Sequence, residues 1–96
     1  VRFGGANPVN LKTIVRREEA KPIINIPANS ASIQTFNYAG ANIGNAALCS
    51  PKSELPDGVI ISYVRVSAAG IIEVKFYNAT GASIAIPAGA YELVIY

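Results

Sequence analysis

Hydrophobic and polar residues alternate most clearly over residues 59–78, VIISYVRVSAAGIIEVKFYN. Two runs rich in β-branched and aromatic residues meet at Ser67-Ala68-Ala69-Gly70. This pattern predicts a β-hairpin, with Gly70 giving the turn its backbone freedom. In the second run Ile72, Val74 and Phe76 point to one side, and Glu73, Lys75 and Tyr77 to the other, so one face is made for burial. The first run is apolar on both faces. Ile60, Val64 and Val66 share a face broken by Ser62, opposite Val59, Ile61 and Tyr63, and the run ends at Arg65. Such a strand calls for packing on each side.

The same alternation predicts shorter strands elsewhere. Residues 22–27, PIINIP, read as a proline-bounded edge strand. In residues 32–38, SIQTFNY, Phe36 and Tyr38 lie opposite Ile33, Thr35 and Asn37. Residues 46–50 form a short buried strand carrying Cys49, after a loop in which Ile43 is expected to plug inward. Residues 83–86 are a short apolar stretch. Residues 91–96, YELVIY, place Tyr91, Leu93 and Ile95 on one face, and a terminal strand this apolar belongs inside a sheet. Turns at Ala28-Asn29-Ser30, Pro56-Asp57-Gly58, Asn78-Ala79-Thr80-Gly81 and Pro87-Ala88-Gly89 separate the strands. Strands at this spacing predict an all-β fold, a small antiparallel β-sandwich, jelly-roll-like or barrel domain, over residues 22–96. Residues 1–21 are expected to form an extended N-terminal arm. Residues 11–21 have some helical composition, but Thr13-Ile14-Val15 and the short length favour an extended piece.

Composition sharpens this picture. Charged residues make up 15% of the chain against roughly 25% in an average soluble protein, which in so small a domain favours an oligomer that hides apolar surface. Residues 1–21 hold five basic and two acidic side chains, the remainder three basic and four acidic, so the net charge of +2 resides in the arm. That is too sparse for a sequence-independent nucleic-acid binder, yet it suits an acidic protein surface. No run reaches the length of a membrane span and no signal peptide is evident.

Catalytic chemistry has little to work with. The chain has no histidine, so no Ser-His-Asp or Cys-His site can form within it. The six carboxylates are scattered over loops and outward positions, and no cofactor or metal set is apparent. A lone cysteine excludes an internal disulfide, and its apolar neighbours mark it as a packing residue. Asn78-Ala79-Thr80 matches the glycosylation acceptor pattern, which arises often by chance and in a cytosolic protein marks only a turn.

The succession Leu55-Pro56-Asp57-Gly58-Val59-Ile60, Tyr63 to Gly70, Val74, Asn78-Ala79-Thr80-Gly81 and Ile86-Pro87-Ala88-Gly89-Ala90-Tyr91 resembles small all-β structural modules of tailed bacteriophages. These occur in capsid decoration (cement) proteins and in head or tail fibres, commonly as homotrimers. The resemblance implies a non-enzymatic virion protein on the capsid exterior, assembled in the bacterial cytoplasm, whose partners are its own copies and the major capsid protein. On this reading Arg2, Phe3, Val9, Arg16 and Arg17 form the capsid-binding arm, and Tyr63, Arg65 and Tyr77 the contacts between copies. Two alternatives stand beside it. One is a head or tail fibre domain, although no shaft-like repeat is present. The other is a carbohydrate-binding module using Tyr63, Tyr77, Tyr91 and Tyr96 as a stacking platform.

Overall fold

The computed structural model describes residues 15–95. The fold is all-β and antiparallel, with strands β1 (Val15–Lys21), β2 (Ile24–Ile26), β3 (Ser30–Asn37), β4 (Ala47–Pro51), β5 (Val59–Ala68), β6 (Ile71–Asn78), β7 (Ile84–Ile86) and β8 (Gly89–Ile95). They form two three-stranded sheets, β1-β8-β4 and β3-β6-β5, and a two-stranded ribbon, β2-β7. The three-stranded sheets face one another. Tyr91 of β8 meets the rings of Phe36 and Phe76 edge-on, with centroids 5.5 and 6.0 Å apart. Around these rings pack Ile72, Val74, Leu93 and Ile26, none exposing surface, and Ile24 and Ile86 of the ribbon close one end.

Strict alternation places β6 and β8 at the centres of their sheets. Ile72, Val74 and Phe76 are fully buried, as their period of two requires, and so are Tyr91 and Leu93. The hairpin closes through Ala69 and Gly70, whose φ of +77° is the left-handed value glycine accepts without strain.

β5 departs from the expected arrangement in an instructive way. A bulge at Ser62 shifts its register, so that Ile61 pairs with Phe76 and Tyr63 with Lys75. The strand therefore changes phase: Val59 and Ile61 point inward before the bulge, Val64 and Val66 after it. Most of its apolar residues are thus one core-facing set interrupted by an extra residue, with Ile60 and Tyr63 left on the outside. Ile60, grouped with the inward residues on alternation alone, is 54% exposed.

Two further expectations are corrected. Ile43 is 73% exposed, because Asn42 and Asn45 close a turn on themselves and turn it out to solvent. The loop's plug is Ala41, held by Tyr38 and by the hairpin tip, where Gly70 N–H donates to its carbonyl at 2.8 Å. The boundary of the folded module also lies earlier than residue 22. β1 pairs with β8 along its whole length, Val15 opposite Ile95 through Lys21 opposite Gly89, so residues 15–21 belong to the sheet rather than to an arm. Residues 1–14, including Arg2, Phe3 and Val9, lie outside the described residues.

β1 also closes an edge of the opposite sheet. Its side chains facing the core side are charged rather than apolar. Glu19 accepts from the backbone N–H of Asn37 at 2.9 Å, and the Lys21 ammonium donates to the Thr35 carbonyl while lying 4.6 Å from the Phe36 ring centre. These backbone groups lie on the open edge of β3, so charged side chains occupy a row that otherwise invites another strand.

The turn after β6 is built on Asn78, the one buried polar residue among those described. Its amide nitrogen lies 3.1, 3.1 and 2.8 Å from the carbonyls of Ile26, Pro27 and Ala82. Its Oδ1 accepts from the Thr80 N–H at 2.9 Å and hydroxyl at 2.7 Å. One side chain thus joins β2, β6 and the approach to β7, and its buried amide is out of reach of a glycosylating enzyme. Gly58 packs against this turn at φ +90°, where an added Cβ comes within 2.3 Å of Thr80 Cγ2. Gly58→Ala is expected to cost about 2–3 kcal/mol, against about 1 kcal/mol for Gly70→Ala, whose Cβ would meet only the Tyr38 carbonyl at an ordinary contact distance of 3.9 Å and a left-handed backbone. Urea midpoints of the two variants check the order.

Candidate functional surface

The outward face of β3-β6-β5 carries most of the sequence-predicted contact residues. Pairing aligns its side chains in rows: Ala31, Tyr77 and Ile60; then Ile33, Lys75 and Tyr63; then Thr35, Glu73 and Arg65; then Asn37, Ile71 and Ala68. Ile33, Ile60 and Tyr63 are 53%, 54% and 36% exposed, so large apolar groups surround a small charged centre. A concentration of this kind on one sheet face marks an interaction surface.

The charged centre is ordered. Arg65 grips Glu73 with two nitrogens, at 3.1 and 3.4 Å, and the Tyr63 hydroxyl donates to the same carboxylate. The Tyr63 hydroxyl, then Arg65, hold the Glu73 carboxyl below the ordinary range, and the carboxylate in turn raises the Tyr63 phenol. Lys75 lies 5.6 Å from the Tyr63 ring centre.

Tyr63, Arg65 and Tyr77 are therefore brought onto one face, as expected. Ile33 and Ile60 belong with them. Ile33 was legible, since it sits three positions from inward Phe36 and thus faces out; Ile60 was hidden by the bulge. The arm candidates do not cluster. Arg16 and Arg17 project from opposite sides of β1: Arg16 pairs with Glu92, which Lys52 also approaches at 3.4 Å, while Arg17 lies 5.2 Å from the Tyr38 ring centre. Arg16, then Lys52, lower the Glu92 carboxyl. Beside them Leu48, half exposed, and Val94 form a smaller apolar strip.

Other chemistry is limited among the described residues. No group of three or more His, Cys, Asp or Glu side chains is placed to hold a metal. Cys49 packs against the core, and burial pushes its thiol up to about 11, away from thiolate reactivity. A groove between Pro51, Leu55 and Pro87 encloses about 60 Å³, and a wide, open depression of about 410 Å³ adjoins it between Glu54, Asp57 and Pro87. Of the tyrosines offered for sugar stacking, Tyr91 is buried and Tyr77 half-buried, the ring of exposed Tyr63 carries Lys75 above it, and Tyr96 lies outside the described residues.

No known protein family, curated protein or solved structure matches the chain.

Proposed function

We propose that this chain is a non-enzymatic virion structural protein, a decoration protein that binds the capsid exterior of a tailed bacteriophage through protein contacts alone. The observation that carries the reading is the outward face of β3-β6-β5, where Ile33, Ile60, Tyr63 and Tyr77 stand together around the Arg65-Glu73-Lys75 cluster. Aromatic and apolar side chains around a few well-held charges are the composition of a protein interface. The phage setting itself rests on the resemblance in sequence, whose turns at Pro56 to Gly58, Ala69-Gly70 and Asn78 to Gly81 lie between strands. In this role the face joins copies of the chain, and the basic N-terminal residues bind the capsid. A fibre domain is the nearest alternative and calls for a longer gene product around the same module.

The test is cosedimentation. Full-length protein added to heads of the encoding phage stripped of decoration is expected to bind to saturation at a fixed ratio to the major capsid protein. Removing residues 1–14, which leaves β1 whole, is expected to weaken attachment and flatten its salt dependence, since salt screens exposed charges. Absence of binding to heads at any salt concentration, with glycan binding by the isolated chain, replaces this reading with the carbohydrate-binding one.

A further inference from the structure

Lys75 sits in the middle of the exposed face, half-buried between Ile33 and Tyr63, and forms no ion pair among the described residues. Its like-faced neighbour on β6, Glu73, is one row away, about 7 Å along the strand. A cation in one row and an anion in the next, the anion flanked by Arg65, can be matched by the same surface inverted. We propose that this face binds the same face of a second copy of the chain, about a two-fold axis that runs across the strands between the Lys75 and Glu73 rows.

The register dictates what this arrangement brings together. Each strand lies over its counterpart running the opposite way, with the facing sheets about 10 Å apart. Lys75 meets the partner's Glu73, and the pair occurs twice. Tyr63 lies against the partner's Arg65, a cation over a ring, and Tyr77 against the partner's Ile71. Turning the copy instead about an axis along the strands sets Lys75 against Lys75 and Glu73 against Glu73, which like-charge repulsion disfavours. A three-fold ring uses a heterologous contact, one surface against a different one, and leaves this self-complementarity unused. Apolar contact supplies the affinity and the charges fix the orientation. The inference does not depend on attachment to a capsid.

Charge reversal of the full-length chain tests it. Wild-type protein is expected to be a dimer by native mass spectrometry and sedimentation. Lys75→Glu and Glu73→Lys each place like charges together twice and should weaken the dimer at least about 30-fold. Mixed in equal amounts, the two variants should form a heterodimer, and the double variant should recover the homodimer, because both restore opposite charges at the two 73–75 contacts across the axis, although the Arg65–Glu73 pair within the chain is lost wherever residue 73 is lysine. Lys75→Arg should keep the dimer. Lys75→Glu breaks no ion pair in the described structure, so it reports on association even where Glu73→Lys fails to fold. A wild-type chain that is monomeric at about 100 μM, a trimer, single variants that associate unchanged, or folded variants that do not recover on mixing each overturn the proposal.

Discussion

Phe76→Ala is expected to lower the stability of the fold by about 3–5 kcal/mol. Phe76 exposes no surface, stands on the central strand β6, and packs edge-on against Tyr91 across the sheets. Truncation removes a large buried apolar area and leaves a cavity that Ile61 and Val74 cannot fill, since both are fixed by sheet pairing. Lys75, its neighbour in sequence, projects from the opposite side, and Lys75→Ala should cost under about 0.5 kcal/mol when measured in dilute solution. Chemical denaturation of the two variants checks the contrast. Equal losses would mean that β6 does not face the core as described.

Asn78→Ala should destabilise the chain by about 3–4 kcal/mol, through a different mechanism. It removes the donor shared by the carbonyls of Ile26, Pro27 and Ala82 and the acceptor that holds Thr80. The buried Ile26 carbonyl loses its side-chain donor, at roughly 1–3 kcal/mol for a fully buried group, and the part-buried Pro27 carbonyl loses the same donor, while the Ala82 carbonyl keeps the Thr80 hydroxyl. Asn78→Asp should be worse than alanine at neutral pH, because it directs a buried negative charge at the same three carbonyls. Thr80→Ala, which removes one hydroxyl from a turn otherwise intact, should cost about 1 kcal/mol. Thermal unfolding at neutral pH gives the expected order: Asp below Ala at position 78, with Thr80→Ala nearest the wild type. A fully stable Asn78→Ala protein would show that the turn is held by its backbone alone.

These predictions depend on features that differ in how far they could be read from residues. Alternation in IIEVKFYN and YELVIY fixed which side chains of β6 and β8 are buried, because a period of two has only one register that hides the apolar set. Gly58 and Gly70 marked turns for the same local reason: their positive φ values exclude most other residues. The candidate surface was half legible. Glu73, Lys75 and Tyr77 had to face outward once Phe76 faced inward, and Tyr63 and Arg65 were expected beside them. Their meeting in rows with Ile33 depends on pairing between β3, β6 and β5, which is a contact between distant parts of the chain.

By itself, then, the sequence determined an all-β chain, its central hairpin, the inward faces of its most regular strands and the lack of histidine-based chemistry. Each is a property of neighbouring residues or of composition. The tertiary structure decided the rest. A bulge at Ser62 converted a strand apolar on both sides into one that feeds a single core, because the extra residue shifts the side chains that follow, as far as Val66, to the other face. Pairing with β8 drew residues 15–21 into a sheet, although their charged sequence resembles an exposed arm. The charges survive there because Glu19 and Lys21 satisfy backbone groups on the edge of β3. A turn asparagine became a buried hub only when Ile26, Pro27 and Ala82 converged on it. In each case the deciding partner lies on another strand or turn, and the local alternation of residues carries no information about it.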